Sequence, residues 1–135
     1  MIIGSLGDVP FVVASGLVRT FRDYSREGNG RWAKHDLIGQ KPVLEFLGKD
    51  IEKISFKMVF RADQGINPEK EAQKLRKMRD NGEIMVLILA DKPVGDNSWV
   101  IESIGENVTF WDAFGNIQAM SVDVSLQEYV ERLVI

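Results

Sequence analysis

The 135-residue chain holds one histidine, His35, and no cysteine. Thiol nucleophiles and thiolate metal sites are therefore excluded. A Ser-His-Asp arrangement would need His35 with Asp36 or another acid and a serine, and no nucleophile-elbow motif is present. His35 is expected as an exposed or hydrogen-bonded strand residue. Asp63, Asn67, Glu69 and Glu71 lie close in sequence, but their spacing is not that of a calcium loop. Acids at 69 and 71 are what the positive end of a helix dipole favours. Gly28-Asn29-Gly30 is not followed by the lysine and hydroxyl residue of a phosphate loop. Its glycines suit positive φ in a tight hairpin loop. These residue types point to no catalytic group, no cofactor and no metal site. The chain reads as a protein that is not an enzyme. A carboxylate hydrolase would need two acids converging in a cleft, and no spacing here requires that.

The aromatic residues offer more. Trp32 follows the glycine loop and stands beside Arg31, Lys34 and His35. That composition suits an interface anchor as well as a core residue. Trp99 and Trp111 are expected in the core. A net charge of −3 argues against nucleic acid as a partner, which normally needs a basic face. The longest wholly apolar run, Ile84 to Ala90, is too short to span a bilayer as a helix. Met1 to Gly4 lacks the basic start of a signal peptide, so assembly in the cytosol is expected.

The elements that must position these residues follow from apolar periodicity. In the stretch Pro42–Arg61, Ile54, Phe56, Met58 and Phe60 share one side of an extended chain. This is the mark of a strand with one buried face. Upstream, Leu44 and Phe46 flank Glu45, and Leu47-Gly48-Lys49-Asp50 supplies turn residues, so these two runs are expected to pair as a hairpin. Met1–Leu6, Pro10–Val13 and Leu17–Tyr24 read as further strands, with Pro10 at an edge or a strand start. Asn67-Pro68 opens a helix expected over residues 68–81, and Gly82 suits the left-handed position after it. Ile84–Leu89 is expected to be a strand buried on both faces. Trp99–Ile104 and Val108–Asp112 are expected as strands interrupted at Gly105-Glu106-Asn107. Met120, Val122, Val124 and Leu126 define a half-buried strand. Gln127–Ile135 is ambiguous: Leu126, Tyr129, Val130 and Leu133 have helical spacing. The pattern predicts a β-dominated α+β fold: a small antiparallel barrel or two-layer sandwich flanked by one main helix. One domain is expected over residues 1–135, with 127–135 a C-terminal extension.

Two blocks of this chain resemble the phage tail protein U (GpU) family. The first is Trp32, then Gly39-Gln40-Lys41-Pro42-Val43-Leu44-Glu45-Phe46-Leu47-Gly48, then Ile54. The second is Leu75, Met78, Asn81-Gly82, an apolar strand, and Trp99-Val100-Ile101-Glu102-Ser103. The similarity spans roughly residues 18 to 126. It implies a non-enzymatic structural component of a contractile phage tail or a related prophage or bacteriocin particle. It implies tube, hub or LysM-bearing proteins as partners, and a ring of about six copies in the particle. Gly28, Gly30, Arg31 and Trp32 are candidate contact residues, with Tyr129, Leu133 and Ile135 as a second patch. The alternative is a small β-barrel module that binds a ligand or nucleic acid.

Overall fold

The computed structural model describes residues 2–6, 9–14, 17–19, 21–90 and 92–131. The strands are β1 (Ile2–Leu6), β2 (Val9–Ala14), β3 (Leu17–Arg19), β4 (Phe21–Glu27), β5 (Gly30–Leu37), β6 (Gln40–Lys49), β7 (Lys53–Arg61), β8 (Leu87–Leu89), β9 (Lys92–Pro93), β10 (Ser98–Trp111) and β11 (Ile117–Tyr129). Helix α1 spans Pro68–Asp80. Pairing is antiparallel throughout. One sheet has the order β3-β2-β1-β8-β9, a second β10-β11-β7-β4, and β5 and β6 form a separate ribbon.

The expected β-dominated α+β class with one main helix holds, but among the described residues no sheet closes into a barrel. Instead, one buried cluster joins Leu6 and Leu87 of the five-stranded sheet to the inner face of the four-stranded sheet and to α1. Ile54, Phe56, Met58 and Phe60 of β7 are buried, as their alternation requires. From β11, Met120, Val122, Val124 and Leu126 join them, and α1 adds Ala72, Leu75 and Met78. Asn67 caps α1 by accepting from the Lys70 amide at 3.2 Å. At the other end, Gly82 has φ +60, its amide donates to Arg79 O, and the Glu83 amide donates to Met78 O. That pair of bonds is a Schellman cap.

Several connections differ from the expected ones. The hairpin expected between residues 44–46 and 54–60 does not form: β6 pairs with β5, while β7 lies between β11 and β4. The segment expected as one strand, Leu17–Tyr24, gives β3 and β4, which belong to different sheets. Asp23, at φ 57, marks a bulge in β4. Ile84–Leu89 is buried on one side only, through Met85 and Leu87, while Ile84 and Val86 are exposed. The break expected at Gly105–Asn107 is absent, because those residues pair in register with Asp123, Val122 and Ser121. Gln127–Tyr129 continues β11 rather than turning into a helix. Pro10 lies near the start of β2, upstream of the residues that β3 pairs with.

Candidate protein-interaction surface

The ribbon β5–β6 is inserted between two neighbouring strands. Glu27 of β4 pairs directly with Lys53 of β7, and β5 and β6 between them lie outside the four-stranded sheet. At the neck, the Asp50 amide donates to Asn29 O at 3.0 Å. Just below it, Arg26 makes a two-pronged contact with Glu52 Oε2, its Nε donating at 3.0 Å. Glu52 is tied in turn to the sheet. Its amide donates to Glu128 Oε1 at 3.2 Å, its carbonyl accepts from the Glu128 amide at 2.9 Å, and Asn97 Nδ2 donates to Glu128 Oε2 at 2.8 Å. The hydrogen bond to Glu52 raises the Arg26 pKa above its ordinary value. A hollow of about 710 Å³ opens at this base, lined by charged and polar residues such as Arg26, Lys49, Asp50 and Asp96.

Both glycines singled out in the sequence belong to this base, for a reason other than the expected one. Neither Gly28 nor Gly30 has positive φ. A Cβ on Gly28 would stand 3.1 Å from Glu52 Cγ and Oε1, and one on Gly30 would stand 3.1 Å from Trp32 Nε1 and 3.3 Å from Phe46 Cε1. They are glycines because side chains cross over them. They also do not form the expected hairpin loop, since β4 and β5 lie in different sheets.

Along the ribbon, Trp32 and Phe46 are opposite one another and pack edge to face, with ring centroids 4.9 Å apart. Lys34 and Leu44 are the next pair on that face. On the other face His35 Nε2 lies 2.8 Å from Glu45 Oε2, so the only histidine is a cross-strand partner of a carboxylate. Arg31 is a staple: its Nε donates to Lys49 O at 3.1 Å and its Nη2 to Leu47 O at 3.4 Å. Trp32 and Phe46 are each 57% exposed, and Leu37, Ile38, Val43, Leu44 and Leu47 are exposed as well. A set of large apolar side chains left in water on one element is a candidate contact surface.

Of the other tryptophans, Trp99 is fully buried, as expected, with its Nε1 donating to Val94 O at 2.8 Å. Trp111 is not in the core. It is 54% exposed at the far end of the β10–β11 hairpin, next to exposed Phe110 and Phe114. Tyr129 ends β11 opposite Ser98 and is exposed, and Leu133 and Ile135 lie outside the described residues.

The sheet face turned away from α1 has a feature that one-dimensional reading missed. Ser25 pairs with Ser55, Ser55 with Ser125, and Ser125 with Ser103. The four hydroxyl residues form one row across all four strands. Ion pairs flank the row, Lys53–Glu102 at 3.7 Å and Lys57–Asp123 at 3.8 Å. No sequence signal marks such a row, because it exists only once the register is known. Among the described residues no group of three or more acids and histidines is placed to hold a metal ion. No helix among them is long and apolar enough to cross a membrane.

The structure is thus an open, β-dominated fold that carries a clamped ribbon of exposed apolar side chains. The chain belongs to the family described as Phage P2 GpU, whose sequence model matches residues 7–131. It is thus a phage tail protein, a structural component of a virion or phage-like particle. The match extends on both sides beyond the residues 18–126 that the motifs cover. Among solved structures, the chain is similar to one in "Tail of empty GTA particle computed with helical refinement, C6 symmetry", at 19% identity and a TM-score of 0.48. That likeness covers 82% of this chain and 78% of the other. No curated protein matches the sequence.

Proposed function

We propose that this chain builds a contractile tail through protein contacts alone, as one functional domain arranged in a ring of copies and joined to tube, hub or LysM-bearing proteins. The ribbon β5–β6 carries the reading: its apolar side chains are held out from the sheet by a neck of hydrogen bonds rather than folded onto the core. Gly28, Gly30, Arg31 and Trp32 shape and present this element, and Tyr129 belongs to a second contact patch. The outer strands of the four-stranded sheet, β4 and β10, each have one side not engaged by a neighbouring strand of that sheet. Such edges accept strands from other chains, which supports a ring. Assembly takes place in the host cytoplasm, before the particle is released.

Sedimentation of the purified full-length chain, alone and mixed with the tube and hub proteins of its particle, tests this. The natural chain should enter complexes much larger than its 15.2 kDa. The variant Trp32→Ser, Leu44→Ser, Phe46→Ser should fold and melt like the natural chain yet stay out of those complexes. Unchanged complexes with this variant would show that the ribbon is not the contact.

A further inference from the structure

The ribbon is not the only apolar surface left in water. The tip of the β10–β11 hairpin exposes Phe110, Trp111 and Phe114, the last at 90%. The turn that carries them is tightly made. Asp112 Oδ1 accepts from the Phe114 and Asn116 amides, each at 2.8 Å, and Asp112 Oδ2 accepts from Asn116 Nδ2 at 3.0 Å. An aromatic residue on a preformed turn loses little freedom when it docks, which is how an anchor gains affinity.

The tip and the ribbon stand at opposite ends of the same sheet. The ribbon leaves where Lys53 pairs with Gln127, and the tip begins beyond the pairing of Arg61 with Ala119. At about 3.4 Å per residue these ends are roughly 27 Å apart. Their charges also differ in sign. Residues 30–49 carry four cations and two carboxylates, a net +2 in a chain of net −3, so the remaining residues together carry −5. The tip, residues 110–118, carries only Asp112 and is net −1. On the Trp32–Phe46–Leu44 face these three side chains, each more than half exposed, present on the order of 350 Å², and Phe110, Trp111 and Phe114 at the tip present a similar area.

From these observations we infer that the aromatic tip of one copy docks on the Trp32–Phe46–Leu44 face of the ribbon of a second copy, end to end along the strand direction. The contact is heterologous, so a docked pair keeps one free tip and one free ribbon and the arrangement extends lengthwise. It rests on the reading of the ribbon as a contact element and adds the occupant.

The absence of cysteine makes a clean test possible. Two full-length single-cysteine chains, Ala113→Cys at the tip and Lys34→Cys on the ribbon, are mixed with a short bismaleimide. A third chain, Lys77→Cys on the exposed side of α1, is the control. The 113–34 heterodimer should form at least tenfold more than the 113–77 one, and adding Phe114→Ser to the tip chain should abolish it without shifting its melting. A 113–34 yield equal to the control overturns the inference, as does a dominant 113–113 product or a chain that stays monomeric. If the chain assembles through its ribbon but yields no 113–34 product, only the tip assignment falls. If the ribbon triple variant still assembles, the broader reading falls too.

Discussion

Strands β6 and β7 follow one another in the chain, separated by three residues, and both alternate apolar with polar side chains. Their fates are opposite. Ile54, Phe56, Met58 and Phe60 of β7 are buried between α1 and the neighbouring strands, whereas Leu44 and Phe46 of β6 stand in water. Both are paired antiparallel, β7 on two sides with β11 and β4 and β6 on one side with β5. What differs is what lies across from the apolar face. The face of β7 meets a helix and a second sheet, whereas Leu44 and Phe46 of β6 are more than half exposed. Burial of apolar area stabilises the fold in the first case. In the second, apolar area stays in water, and the proposed association would cover it.

The comparison predicts a steep contrast on truncation. Phe60→Ala should cost about 3–5 kcal/mol in denaturant unfolding, because it opens a cavity in a filled core. Phe46→Ala, at 57% exposure and with one ring partner, should cost about 1 kcal/mol or less. Equal costs would mean that the ribbon is part of the folding core after all. Next in size is the clamp. Glu52→Gln should lower global stability by under about 1 kcal/mol, since the Arg26–Glu52 pair is only partly shielded. It should nevertheless speed hydrogen exchange at the neck amide of Asp50 well before β7 is affected. Gly30→Ala should cost least, because the Trp32 and Phe46 rings can give way by a few tenths of an ångström. Its signature is a changed ring-to-ring contact in aromatic side-chain NMR, with the core resonances unmoved.

The tip offers a pH test of the same separation between core and surface. Hydrogen bonds from the Asn116 backbone, then from its side chain, hold the Asp112 carboxyl below the ordinary carboxylate pKa of about 3.9. A group depressed in this way contributes stability that is present above the unfolded value and lost as the pH falls through the folded one. Amide protection at Phe114 and Asn116 should therefore persist at neutral pH and vanish in acid below that range. The amides of β7 and β11 should stay protected through the same titration if tip and core are independent.

How far the sequence reveals this arrangement depends on the kind of contact. The inner face of β7, the caps of α1 at Asn67 and Gly82, and the alternation in β11 are local patterns, and each is found where its residues place it. Pairing is not local. Nothing in residues 40–61 states that β6 turns back to β5, because the turn residues at Leu47–Asp50 suit a neck as well as a hairpin. Trp111 shows the same limit: size and apolarity suit a core, but position at the end of a long hairpin leaves it outside. Trp32 and Arg31 were legible as surface candidates from their company of charges and glycine. The aromatic tip and the serine row were not, because both are assembled by register.

Because Glu27 already sits opposite Lys53, the ribbon is an excursion that the sheet does not need in order to close its ladder. Excising residues 28–52 and joining the cut ends with Asn-Gly would leave an ordinary two-residue β-turn between β4 and β7. Such a shortened chain should retain its unfolding transition while losing partners. The folding unit would then lose only the Glu52 ties to Arg26 and Glu128, and the ribbon would stand as a plug mounted on a socket plate that folds without it.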